Sequence, residues 1–242
     1  MPDHEVGTLR RWARGDFHPL RTDEQGRDPV DELAAEMPAS PESWWKAFQT
    51  VFAGANRSVF KNLAEPFEAL LHVGGETLWD EVAVASRHDR KIANAFWDAM
   101  YFLQLPQEAY KRLGRQMTVE AFVRHEPRIP SAPGQPRPDE WEDSWSGEVL
   151  FYLTQNDPEE AWAICLELLA VSDDPGWAAT IGAFIVEDLL HDYGDGFIDR
   201  IEAEATKNEP LRRALPMARW VVPEHLVARL KTASGPHWDE KS

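Results

Sequence analysis

Cysteine is nearly absent: Cys165 is the only one, which excludes an intramolecular disulfide and any cysteine-based metal site. A lone thiol fits a reducing compartment. The opening stretch Met1–Asp16 lacks the apolar core of a signal peptide, and near-apolar segments such as Ile181–Val186 are far too short to span a bilayer. The expected location is therefore cytoplasmic, with no membrane partner. Runs of alternating β-branched residues are missing, which argues against strands. No phosphate-binding glycine loop, nucleophile elbow or paired-histidine zinc motif occurs, so no catalytic residue, cofactor or metal ligand is assigned. Bases are also scarce, with 25 Lys and Arg against 42 Asp and Glu, a formal charge of −17. That sign argues against nucleic acid and against an anionic membrane.

What is present is the composition of an ordinary globular chain, 43% hydrophobic and 28% charged over 242 residues, ample for a continuous core. The charge is unevenly spread. Residues 131–200 hold sixteen acids and only two bases, Arg137 and Arg200, which leaves that stretch at −14. Clustered like charge opposes compactness. Two readings stand side by side: a solvated outer face of several helices, or a patch complementary to a basic partner. The small basic segment Arg10, Arg11, Trp12, Arg14 offers a third outlet, docking on the protein's own acidic face.

Five prolines between 126 and 140 (Pro127, Pro130, Pro133, Pro136, Pro138) remove backbone donors and predict an extended linker. On both sides the periodicity is helical. Asp157-Pro158, Ser40-Pro41 and Asp174-Pro175 are helix starts, a capping side chain followed by a proline at the first helical position. Trp162, Cys165, Leu166 and Leu169 recur with helical spacing. The expected fold is all-α.

The chain also repeats itself. Pro41-Glu42-Ser43-Trp44-Trp45 matches Pro158-Glu159-Glu160-Ala161-Trp162 at an offset of 117, and Glu68 to Gly75 matches Glu187 to Gly194 at 119. Six of the sixteen positions from Phe67 to Val82 are identical to their counterparts, Asp80 facing Asp199 among them. This predicts two related helical halves, 29–125 and 141–233, with the linker at 126–140 between them, an arm at 1–28 and a tail at 234–242.

The same residues carry a resemblance. Pro158-Glu-Glu-Ala-Trp162, Glu187-Asp-Leu-Leu190 and Gly196-Phe-Ile-Asp-Arg-Ile-Glu-Ala-Glu204 look like a bacterial helical domain family of unknown function. The resemblance covers about 157–222. It implies a HEAT-like helical stack and brings no known reaction.

Among polar constellations, Glu68 with His72 and Glu187 with His191 lie four residues apart on a helix, so each pair shares a face. With Asp80 and Asp199 they suggest duplicated Glu–His–Asp sets able to hold a metal or move a proton. The competing reading is a surface pair near a helix end, where a cationic histidine is favoured. Gly75 and Gly194 are expected to end their helices in the left-handed conformation. Trp45, Trp97 and Trp162 fall in apolar stripes and belong to the core. Trp44, next to Trp45, is expected to point elsewhere and make a contact. Trp141 and Trp145, ringed by Glu140, Glu142 and Asp143, read either as a protein-binding hot spot or as packing for the linker.

The functional expectation is a non-enzymatic acidic module, in its most concrete form an immunity- or antitoxin-like inhibitor of a basic protein. Trp141, Trp145, Glu140, Glu142, Asp143, Asp173, Asp174, Asp192 and Asp195 are its candidate contact residues. The alternatives are an enzyme or metal-binding protein using the duplicated Glu–His–Asp sets, and a helical scaffold that holds a peptide independently of charge.

Overall fold

A computed structural model describes residues 3–16, 29–125 and 140–239. Every regular element among them is helical, so the protein is all-α. Among the described residues no helix is long and apolar enough to cross a membrane. Residues 126–139 of the linker expected at 126–140, and residues 17–28 of the arm, lie outside the described residues.

Contacts divide the chain into two units. The first contains α1 (Asp3–Ala13), α2 (Pro29–Glu36), α3 (Pro41–Phe52), α4 (Arg57–Ser86), α5 (Arg90–Phe102) and the start of α6 (Pro106–His125). Its centre is aromatic: Phe52 stacks on Phe60 at 4.4 Å, and Phe67 meets Phe48 at 5.2 Å and Phe52 at 5.3 Å. α3 packs against both α1 and α4, which explains why Trp44 and Trp45 are both buried. Trp44 is therefore core, not the outward contact expected from its place beside Trp45. α1 docks through its apolar residues Leu9 and Trp12, both buried, with Ser43 donating to Glu5 at 2.8 Å. Arg14 turns back to Asp16 at 2.9 Å. The arm is thus held by apolar packing, with Arg14 spent on a neighbour.

α4 bends at Gly75, whose φ of 59° and ψ of −160° are open only to glycine. The expected break is met there. Gly194 is different: it stays helical, and the local departure falls on Tyr193 with φ −128° and ψ 20°. Gly194 answers a packing need, since a Cβ on it would come within 2.5 Å of Leu226 Cδ1.

The second unit contains the end of α6, then α7 (Trp145–Asn156) from its second residue on, α8 (Pro158–Leu169), α9 (Pro175–Ile181), a π turn at Gly182–Val186, α10 (Glu187–Ala205), α11 (Glu209–Ala214) and α12 (Glu224–Ser234). Asp157 caps α8 through Glu160 N–H at 3.1 Å, and Asp174 caps α9 through Trp177 N–H at 2.9 Å. The expected tail is tied in as far as 239: His237 meets Glu209 at 2.8 Å.

Residues 141–145, expected with the second half, belong to the first unit. The cause is charge pairing with the start of α5, where Arg90 holds Glu142 at 2.7 Å and the buried Asp143 at 2.8 Å. Ser144 adds a hydrogen bond to Asn94 at 3.0 Å.

Element boundaries in the two units run in parallel. α3 begins at 41 and α8 at 158, 117 apart. The caps Asn56 and Asp174 are 118 apart, and the helix ends Ser86 and Ala205 are 119 apart. Asp89 and Asn208, which cap α5 and α11, keep the spacing of 119. The second unit thus carries one additional residue before the cap and one within the long helical path. The latter falls where the π turn lies, since a turn closed five residues on accommodates one extra residue without ending the helix.

Candidate protein-interaction sites

The duplicated Glu–His–Asp sets do not assemble. Asp80 pairs with Arg112 of α6 at 2.7 Å, and Asp199 pairs with Arg229 of α12 at 2.5 Å. Each aspartate therefore fastens its helix to the helix after next. Arg112 also lies over Trp79, 5.2 Å from the ring centre. Among the described residues no group of three or more His, Cys, Asp or Glu is placed to hold a metal ion. The expected metal set is not assembled among the described residues, and both aspartates are paired instead with arginines distant in sequence.

Glu187 and His191 have another task. The Glu187 carboxylate accepts the backbone N–H of Trp220 at 2.8 Å and of Val221 at 3.3 Å. His191 Nδ1 lies 3.1 Å from the Val221 carbonyl oxygen. Together they pin the segment 218–223 against α10. That segment displays Trp220, 69% exposed, and Val221, 52% exposed. Arg219 lies against the Trp220 ring at 5.1 Å and the Trp238 ring at 5.8 Å. Beside this clamp on α10 stand the exposed carboxylates Asp192 and Asp195, the latter 2.9 Å from His225. The acids crowd one another: burial, then the charges of Asp192 and Glu187, raise Asp188 above the usual carboxylate range.

The nine candidate contact residues are accordingly dispersed. Glu142 and Asp143 are spent on Arg90 in the first unit, and Trp145 is 1% exposed, so its ring packs inside and is not a contact. The side chains of Glu140 and Trp141 lie outside the described residues. In the second unit, Asp174 caps α9 yet remains exposed, and Asp173, Asp192 and Asp195 face solvent. None of these four carries an arginine or lysine ion pair among the described residues. Trp220 and Val221 escaped the sequence reading; the matched pair Glu187 and His191 was their only signal, and it pointed to chemistry instead of to a loop.

The first unit has a pocket of its own, an open hollow of ≈ 680 Å³ between α3 and the C-terminal part of α4. Trp45 and Val84 give it an apolar wall, and Glu42, Asp80 and Glu81 supply carboxylates. Lys46 and His88 are the basic groups on its lining.

No curated protein and no solved structure matches the chain. Residues 133–234, a span that takes in α7 to α12, match a family of unknown function (DUF6869).

Proposed function

We propose that the protein is an acidic helical interaction module that binds a basic protein, acting as an immunity- or antitoxin-like inhibitor that covers its partner by charge and shape. One observation carries this reading: Trp220 is 69% exposed while its backbone is held by Glu187, on the helix that also exposes Asp192, which has no arginine or lysine partner among the described residues. An exposed aromatic ring on a pinned backbone, with Arg219 against it and with Asp192 and Asp195 exposed on the helix that pins it, has the composition of a protein-binding hot spot, an anchor with charged groups around it that steer the partner. The surplus of acids at 131–200 extends that field. In this reading the protein works in the cytoplasm, as a helical domain of bacterial type. Burial raises the Cys165 thiol well above its ordinary range and leaves it inert there.

A native pull-down read by mass spectrometry, at about 50 mM and about 500 mM salt, tests it. The expected result is a basic protein that is lost at high salt. Trp220→Ala, and separately the pair Asp192→Asn with Asp195→Asn, should each weaken its capture at least about tenfold while leaving the melting temperature near that of the parent. A partner indifferent to salt and to the aspartate changes would favour the charge-independent scaffold. Recovery of nothing basic would sink the proposal.

A further inference from the structure

The second unit contains an arginine where the first has a hollow. At the spacing of 117 that relates α3 to α8, Glu42 corresponds to Glu159 and Trp45 to Trp162. At the spacing of 119 that relates the end of α4 to that of α10, Glu81 corresponds to Arg200. Arg200 Nη1 donates to both oxygens of Glu159, at 2.6 and 2.7 Å. Its guanidinium also lies 5.8 Å from the Trp162 ring centre and 5.2 Å from that of Phe197. The second unit thus fills this position with a cation lodged between a carboxylate and aromatic faces, the environment in which arginine is preferred over lysine.

In the first unit the carboxylate and the tryptophan remain, but the arginine is replaced by an acid. Glu42 and Glu81 have no partner among the described residues, and Asp80 is taken by Arg112. We infer that the pocket between α3 and α4 seats the side chain of an arginine supplied by a protein partner, its guanidinium on Glu42 and Glu81 and its methylenes along Trp45 and Val84. The inference rests on the reading of the protein as a module for a basic partner and gives one contact of that partner a chemical identity. Lys46 is the opposing group on the wall, and its counterpart in the second unit is Ala163.

The probe is Nα-acetyl-arginine amide, titrated into the full chain while the Trp45 indole and Val84 methyl signals are followed by NMR. Saturable shifts confined to this pocket are expected, with a dissociation constant on the order of millimolar because the carboxylates are exposed. Nα-acetyl-lysine amide should bind several-fold more weakly. Glu81→Arg places the second unit's own cation in the first and should abolish probe binding, with folding checked by circular dichroism. Glu42→Gln should weaken binding about tenfold, and Lys46→Ala should strengthen it roughly twofold. No saturable shift up to about 20 mM probe, or unaltered binding by the folded Glu81→Arg protein, overturns the inference. The two readings fail separately. A salt-sensitive basic partner with an unresponsive pocket removes only the arginine seat, whereas a responsive pocket with no basic partner removes the inhibitor reading.

Discussion

Glu68 and Glu187 stand at matching registers of α4 and α10, yet their surroundings differ for a reason that lies thirty residues downstream. In the second unit α11 ends at Ala214 and passes into a short turn through Pro216, which has no N–H to continue a helix. The chain then leaves helical geometry, and the amides of Trp220 and Val221 become available to Glu187. In the first unit α5 continues unbroken to Phe102, so the amides at the same spacing, Tyr101 and Phe102, lie within a helix. Glu68 is left partly buried with no hydrogen-bond partner among the described residues. Burial, and then the charge of Glu65, push its carboxyl up to about 7 from 4.5. Because the folded-state value is raised, the folded protein keeps a proton that the unfolded chain releases. The stability linked to Glu68 is therefore fully present below pH 4.5 and is lost as pH rises through about 7. Glu68→Gln should remove that loss. After allowance for solvent screening of a partly exposed group, it should gain roughly 1 kcal/mol at pH 8, about 2–4 °C in melting temperature, and nothing at pH 4. An equal gain at both pH values would show that burial of the charge is not the cause.

The long helical path of the second unit depends on a close approach at its π turn. A Cβ on Gly182 would lie 2.1 Å from the Ala214 carbonyl oxygen, and backbone atoms of α11 cannot yield as a flexible side chain can. Gly182→Ala should cost about 1–3 kcal/mol, read as a lower melting temperature. Gly196, within α10, has nothing within 4 Å of its would-be Cβ, so Gly196→Ala should be neutral or stabilise by up to about 1 kcal/mol. Equal effects at the two positions would rule out the close approach as the cause. Element starts were legible in the sequence because a cap and a following proline act locally, as at Asp157-Pro158 and Asp174-Pro175. The repeat offset was legible too, as a shift from 117 to 119. Its division between a loop residue and a π turn was not, because an inserted residue can enter a loop or a helix without changing the apolar pattern around it. The candidate sites were less legible still. Asp143 is claimed by Arg90, Glu187 by the amides of Trp220 and Val221, and Asp80 by Arg112, all partners remote in sequence. Spacing along one helix shows which residues share a face and is silent on what meets that face.

For the whole molecule, the question is whether a formal charge of −17 is held together by its ion pairs or strained by its surplus. Pairs are numerous on the second unit: Arg200 with Glu159, Arg229 with Asp199 and Glu202, and His225 with Asp195. They are largely exposed, and exposed pairs contribute about 0–1 kcal/mol each and weaken with salt. Against them stands the repulsion of sixteen acids facing two bases over residues 131–200, which salt also screens. The two effects give opposite responses, so a salt titration of the melting temperature decides between them. With 42 acids against 25 Lys and Arg, the excess of seventeen negative charges is left uncompensated, and its repulsion should outweigh the attraction of exposed pairs. Raising salt from about 10 mM to about 300 mM should therefore stabilise the protein by roughly 1 kcal/mol, about 2–4 °C, with an uncharged solute of equal osmolality as the control. That sign would mean the acidic surface is maintained at a cost to the isolated fold, as expected of a surface completed by a basic partner. A fall in melting temperature would mean that the acids serve the fold through their ion pairs, and the case for a charge-steered partner would lose its physical basis.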